Sequence, residues 1–216
     1  MSRSTTIEAT VSRSTARRIY DRLGARIDRA EHQEARAKAL ALDLLRLAPG
    51  QHVLHVGVGA GREQAAIQAA VGPNGLVVGC DLSRGMLELT RRRAAAPLCQ
   101  ADAGALPLIG QRFDRLFSAY VLDLLPGSDL PGVLAEFRRV LRPGGRLVLV
   151  SLTEGSDPAS RAFIALWKLR YRLAPASLGG CRPLRLAGLV GQAGFTIEQR
   201  QVVVQRGFPS EIIVGV

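Results

Sequence analysis

The chain has 216 residues, 47% of them hydrophobic and 22% charged, enough for one ordinary domain with a sizeable core and too apolar for general disorder. No window reaches the roughly 18 uninterrupted apolar residues of a membrane-spanning helix. The opening MSRSTTIEATVSRSTARR has no apolar stretch of the kind a secretory signal peptide needs, so no leader is expected.

Lys and Arg number 29 against 18 Asp and Glu, a formal charge of +11, and only Lys38 and Lys168 are lysines. Such a balance suits either an anionic partner or simple solubility. Cys80, Cys99 and Cys181 are far apart and form neither a disulfide framework nor a zinc spacing. No metal site is expected, and a reducing cytosol is.

Ile19, Tyr20, Leu23 and Ile27 recur at helical spacing, predicting an amphipathic helix over 14–30. A second helix, about 32–47, carries Ala35, Ala39, Leu42 and Leu45 and stops at Pro49-Gly50. Short apolar runs then alternate with helices. HVLHV (52–56) precedes a helix near 62–71, and GLVVGC (75–80) one near 83–94. A short strand at 97–100, FDRLFSA (113–119), a helix near 128–141 and RLVLVSL (146–152) continue the series. Strands separated by helices mean βαβ units around a parallel sheet, an α/β fold.

After Leu152 come a helix near 158–174 with Phe163, Ile164, Trp167 and Tyr171, the segment GGCRP, and a helix near 183–193. TIEQRQVVVQ (196–205) and SEIIVGV (210–216), separated by RGFP, should close the sheet as an antiparallel hairpin. No repeat or linker divides the chain, which reads as one domain over 1–216. Its parts are an N-terminal helical segment (1–48), a core (49–152), a helical insert (153–182) and a closing helix and hairpin (183–216).

The first strand runs into Gly57, Gly59 and Gly61 and then directly into a helix. Such a turn lets backbone approach a ligand at the carboxyl edge of the sheet, although a plain tight turn also explains it. A dinucleotide fingerprint wants a small residue where Arg62 stands, and the Gly-Lys-Ser/Thr of a phosphate loop is missing. Asp81 ends the second strand, where a carboxylate can accept from both ribose hydroxyls of a nucleoside. It could equally cap the next helix with Ser83. Asp102 ends the third strand, placed for an adenine amino group or for an Asx turn.

The runs VLHVGVGAG, VVGCDLSRGMLELTRRR, ADAGALPLIGQRFDRLFSAYVLDLLP and LRPGGRLVLVSL, in that order, resemble the class I S-adenosylmethionine-dependent methyltransferases. They are most similar to the ubiquinone/menaquinone-biosynthesis branch, and CRPLRLAGLVGQAGF and GFPSEIIVGV extend the likeness to residues 15–216. The resemblance implies a Rossmann-like fold: a seven-stranded, mostly parallel sheet, a C-terminal antiparallel hairpin and N-terminal lid helices. It implies S-adenosylmethionine as cofactor, with Gly57, Gly59 and Gly61 around its methionyl part. Asp81 would hold the ribose, Leu82 and Met86 would flank the adenine, and Asp102 and Ala103 would meet its edge. Ser118 and Ala119 would line the reactive end, and Tyr20 would be the lid tyrosine. Two positions depart from the family: His55 stands where an acid orients the loop and the methionyl amine, and Ile27-Asp28 replaces a second Tyr-Asp pair.

Tyr20, His32, Tyr120 and Asp123 are the candidates by position for a base acting on a protonated acceptor, each with a competing core or surface role. The family's amino-methylating nucleic-acid enzymes carry an Asn/Asp-Pro-Pro-aromatic motif after the fourth strand, where this chain has Ser118-Ala119-Tyr120-Val121. Nucleic acid therefore ranks last among partners.

Arg17, Arg18, Arg22, Arg26 and Arg29 on the first helix, and Trp167, Lys168, Arg170, Tyr171 and Arg172 on the late insert, suit the surface of an anionic bilayer; a lid that packs its apolar face on the sheet and leaves its arginines solvated explains the same pattern. The leading expectation is a methyltransferase acting on a small lipophilic acceptor such as a quinone precursor. The second is a phosphatidylethanolamine N-methyltransferase at an anionic membrane, and the third a degenerate S-adenosylmethionine-binding module, suggested by His55. A cytoplasmic location is expected, with peripheral contact at the inner membrane face as the second reading. The oligomeric state is not written in the sequence.

Overall fold

The computed structural model describes residues 11–23 and 31–216. Helix α1 spans Arg13–Leu23, α2 Ala35–Leu44, α3 Arg62–Val71 and α4 Arg84–Arg91. They are followed by α5 over Leu130–Val140, α6 over Pro158–Leu173 and α7 over Leu186–Gln192. The strands are β1 His52–Val56, β2 Leu76–Asp81, β3 Leu98–Gln100, β4 Phe113–Ala119, β5 Leu141–Leu152, β6 Ile197–Gln205 and β7 Phe208–Gly215. Ile27-Asp28, Arg26 and Arg29 lie outside the described residues.

The seven strands form one sheet in the order β3-β2-β1-β4-β5-β7-β6. β1 through β5 pair in parallel, and β7 runs antiparallel to both β5 and β6. The order reverses between β1 and β4, so both crossovers leave a crevice at the carboxyl ends of these two strands. Leu54, Val56, Leu116 and Leu149 face one apolar cluster with Phe137 of α5 and Val190 of α7. Val53, Phe117, Val148 and Val150 face the other, with Ala41 of α2, Ile67 of α3 and Ile164 of α6. Burial on both faces explains why these strands read as nearly continuous apolar runs.

Three boundaries differ from the sequence reading for physical reasons. The helix expected near 128–141 begins with a 3-10 turn, Gly127–Asp129, because Pro131 fits only the first turn of an α-helix. β5 begins at Leu141, and its pairing with β4 shifts register between Phe113, opposite Leu141, and Arg115, opposite Arg146. The hairpin loop is only Arg206-Gly207, at φ of 52° and 82°. Two consecutive positive φ values match the twist of the flanking strands, so Phe208 and Pro209 join β7.

Phe137 is fully buried between α5 and the sheet. Phe137→Ala is expected to cost about 3–5 kcal/mol, read as a lower urea midpoint with an unchanged slope.

Candidate functional site

The β1–α3 turn is held by backbone: Gly57 N–H donates to Cys80 O at 2.7 Å, and Gly61 N–H to Val58 O at 2.9 Å. Gly57, Gly59 and Gly61 have φ of 77°, 52° and 85°, a region that penalises a side chain. Space separates their roles. A Cβ on Gly57 would overlap Val121, and one on Gly61 would come within 2.7 Å of Thr90 Cα, whereas Gly59 faces open space. The outer glycines let the turn sit against its neighbours, and Gly59 leaves a cradle over the crevice.

His55 lies beneath this turn, 1% exposed, with Nδ1 2.9 Å from Gln64 Oε1 and its ring 5.2 Å from that of Phe117. Burial lowers its pKa to about 4, with Lys38 pushing the same way against Glu63 and Gln64. The imidazole is therefore neutral near pH 7 and puts no cation beneath the cradle. A neutral imidazole does not repel a cationic ligand.

Asp81, at the tip of β2, joins the two loops: Oδ2 accepts from Gly59 N–H at 3.1 Å and Oδ1 from Ser83 N–H at 2.8 Å. Each oxygen keeps a lone pair that a ribose hydroxyl can use. The helix cap is Ser83, whose side chain accepts from Met86 N–H. Burial raises the Asp81 pKa to about 6 against the pull of these amides. Leu82 is half-buried and Met86 buried, both beside this carboxylate in sequence.

Asp102 makes the Asx turn, accepting from Gly104 N–H at 2.9 Å, and Ala103 beside it is buried. Its other oxygen is already engaged, because Arg13 of α1 bridges Asp102 at 2.6 Å and Asp129 at 2.7 Å. Asp21, also on α1, accepts from Ser83 Oγ at 2.5 Å and Gly85 N–H at 3.1 Å. Helix α1 is thus tied across the ends of β2 and β3.

At the end of β4 and beyond it lie several buried polar groups. Ser118 is fully buried with an unpartnered hydroxyl, and Ala119 is half-buried. Tyr120 has φ of 55°, rare for a bulky residue, and its hydroxyl lies 2.7 Å from Ser210 Oγ. Lys38 Nζ sits 5.8 Å from the Tyr120 ring centroid and pairs with Glu34 at 3.0 Å and Glu63 at 3.7 Å. Burial raises the Tyr120 pKa well above 10, which leaves it neutral.

Asp123 is fully buried. Its Oδ2 accepts from Leu152 N–H and from Cys181 Sγ–H, both at 3.1 Å, while Oδ1 has no protein partner. Burial raises its pKa to about 6. Tyr20 reaches the same place from α1: a Cβ on Gly179 would stand 3.2 Å from its hydroxyl. Burial raises the Tyr20 pKa, and the charges of Cys181, Asp123, Glu34 and Asp81 all add to the rise.

The structure therefore gathers Tyr20, Tyr120 and Asp123, and separates His32, which is exposed in an open groove with Lys38, Arg62 and Glu63. Cys181 is the site residue that sequence reasoning passed over. Its signal was GGCRP, where Gly179 and Gly180, at φ of 64° and 85°, turn the chain inward. Among the described residues no group of His, Cys, Asp and Glu is arranged for a metal ion.

Sheet order, glycine cradle and acidic strand tips define an α/β domain built around a nucleoside-bearing cofactor. Residues 53–145 match the family model described as a methyltransferase domain. The demethylmenaquinone methyltransferase of Symbiobacterium thermophilum is 37% identical over 131 residues, 56% of this chain and 50% of that protein. The nocamycin O-methyltransferase of Saccharothrix syringae is 32% identical over 191 residues, 82% of this chain and 65% of that protein. The chain thus spans between half and two thirds of the length of these relatives.

A crystal structure of an S-adenosylmethionine-dependent methyltransferase from Aquifex aeolicus superposes with a TM-score of 0.59 at 19% identity, covering 82% of this chain and 88% of that one. The [4+2]-cyclase SpnF superposes at 0.63 with 18% identity, covering 83% and 79%. Fold alone therefore leaves the reaction open. Sequence and fold together identify a class I S-adenosylmethionine-dependent methyltransferase domain, similar to the quinone-biosynthesis branch, with S-adenosylmethionine as its cofactor.

The site residues fit that cofactor: an open cradle at Gly59, spare acceptor capacity on Asp81 and a neutral His55. Cofactor affinity is expected to rise as pH increases through about 6, where Asp81 ionises. Asp81→Asn should weaken binding roughly tenfold to a hundredfold and flatten the pH dependence. Calorimetric titration with S-adenosylmethionine at several pH values checks both.

Proposed function

We propose that the protein transfers a methyl group from S-adenosylmethionine to a small, lipophilic, hydroxyl-bearing acceptor, a quinone precursor or a metabolite of similar chemistry. The observation that carries this reading is Asp123, a fully buried carboxylate with one free oxygen just beyond β4 and a pKa near 6. A base with that pKa is ionised near neutral pH and still basic enough to take a proton from an acidic hydroxyl. The cited relatives are named for demethylmenaquinone and for O-methylation of nocamycin, which agrees with a cyclic, oxygenated acceptor.

Bound over the Gly59 cradle, S-adenosylmethionine supplies an electrophilic methyl group whose reactivity is its own. The chain contributes alignment and proton handling. Asp123 Oδ1 accepts the acceptor's proton, while Leu152 N–H and Cys181 Sγ–H hold Oδ2 and fix the carboxylate plane. Tyr20, neutral and delivered by α1, covers the same place and keeps water away, so the acceptor is held in position rather than solvated. His55 gives no support to a degenerate module, since it is neutral and hydrogen-bonded beneath an open cradle. Methylation of an ethanolamine headgroup has no observation of its own in its favour.

Incubation with methyl-labelled S-adenosylmethionine and a bacterial extract, then separation into organic, aqueous and protein fractions, tests the reading. Label in the organic fraction, lost in Asp81→Ala, is expected; label confined to the aqueous or protein fraction overturns it. With the acceptor in hand, kcat should rise through about pH 6 and level off as Asp123 ionises. Asp123→Asn should lower kcat by roughly a hundredfold or more and remove that inflection, with cofactor affinity nearly unchanged. Full kcat in the variant would reduce Asp123 to a packing role.

A further inference from the structure

A bilayer role for Trp167 and Tyr171 would need them to face outward from α6, and the structure instead packs them on the sheet, as a lid helix would. Tyr171 and Ile164 are buried, at 1% and 2% exposure. Trp167 is half-buried and donates from Nε1 to Cys181 O at 2.9 Å. Its ring lies 5.7 Å from those of Phe163 and Phe208. The aromatics belong to the core.

What faces outward instead is a row of leucines. Leu166, Leu169 and Leu173 are 67%, 54% and 79% exposed, at spacings of three and four residues that set them on one stripe. At about 100° per residue they occupy roughly 60° of arc, with Arg161 and Arg172 on one shoulder and Arg170 on the other. All three arginines are exposed, and α6 contains no acidic residue. Exposed leucines scattered singly need no explanation, whereas three in register between cationic shoulders form a surface.

The stripe also leads somewhere. α6 ends at Leu173, turns through Pro175–Leu178 and passes Gly179, which lies against Tyr20, to reach Cys181 and Asp123. Arg17, Arg18 and Arg22 are exposed on α1, the helix that carries Tyr20.

We propose that the outward face of α6 docks the protein on an anionic lipid bilayer, the leucines entering the headgroup–acyl boundary and the flanking arginines pairing with lipid phosphates. Charge selects this occupant over the others. A second copy of the chain would set Arg161, Arg170 and Arg172 against the same cations, with no carboxylate on α6 to answer them. Nucleic acid would meet the arginines and leave the leucines wet. A bilayer with anionic headgroups satisfies both, and a narrow apolar stripe between basic shoulders is the pattern of helices that lie in its interface. Docked this way, α6 brings the Gly179–Cys181 segment close to the membrane surface, which would let a lipophilic acceptor enter beside Tyr20 without crossing water. The docking rests on the surface alone, and label partition tests the acceptor separately.

Co-sedimentation of the full chain with vesicles of phosphatidylcholine containing phosphatidylglycerol, and with vesicles of phosphatidylcholine alone, is the test. Binding to the anionic vesicles only, weakening as salt rises, is expected. Replacing Leu166, Leu169 and Leu173 together with Gln should abolish it, and each of Arg161→Gln, Arg170→Gln and Arg172→Gln should weaken it about fivefold. All of these positions are exposed, so the affinity for S-adenosylmethionine and the urea midpoint should stay at wild-type values and report an intact fold. Absence of vesicle binding overturns the proposal, as does binding that survives the leucine replacement. A dimer in solution that the leucine replacement splits, without vesicle binding, would assign the stripe to a second copy instead.

Discussion

The hydrogen bond from Gly59 N–H to Asp81 Oδ2 sets the shape of the whole cofactor half. It ties the turn after β1 to the tip of β2, and it forms only because Gly57, Gly59 and Gly61 all take positive φ within five residues. Any side chain at Gly57 or Gly61 would meet Val121 or Thr90, so the turn also fixes how closely the loops after β4 and on α4 approach. Position of the Gly59 cradle, orientation of the Asp81 carboxylate and the approach of the loop after β4 thus share one origin in backbone geometry. Residues on three separate strands converge because the sheet reverses its order at β1 and β4.

Charge follows from that convergence. The loops pack densely enough to bury Asp81 and Asp123, and burial pushes both carboxylates up to about 6. His55 beneath the turn is pushed the other way, to about 4. In the free protein near neutral pH, the crevice therefore holds carboxylates that are poorly solvated and no imidazolium to compensate them. Such a crevice suits a cationic sulfonium cofactor. An acid at position 55 would add a further buried anion under the same turn. The neutral histidine keeps the turn hydrogen-bonded through Gln64 without that cost.

Much of this was legible in the sequence. Strand and helix placement follow from the alternation of apolar runs, and the glycine spacing marks the turn because few other patterns serve it. Asp81 was legible for the same reason: an acid at a strand tip has few uses. Asp102 was legible as a position but not as a partner, since its tie to Arg13 depends on how α1 crosses the sheet, 89 residues away in the chain. Helical periodicity located α6 but not which arc faces the core, because Phe163, Trp167 and Tyr171 on one side and Leu166, Leu169 and Leu173 on the other are both apolar. The two-residue hairpin was hidden by Arg206, a residue that rarely takes positive φ.

The acceptor half was the least legible, and the reason is structural. The cofactor side is made by backbone turns with strict local requirements, which leave a signature in consecutive residues. The acceptor side proposed above draws Tyr20, Asp123 and Cys181 from three distant segments: helix α1, the loop after β4 and the inward turn at Gly179-Gly180. No local rule requires any of the three. A tyrosine on an amphipathic helix, an acid in a loop and a cysteine after two glycines each have ordinary explanations, and only the fold brings the three together. Acceptor choice can therefore change by substitutions that leave every cofactor motif intact.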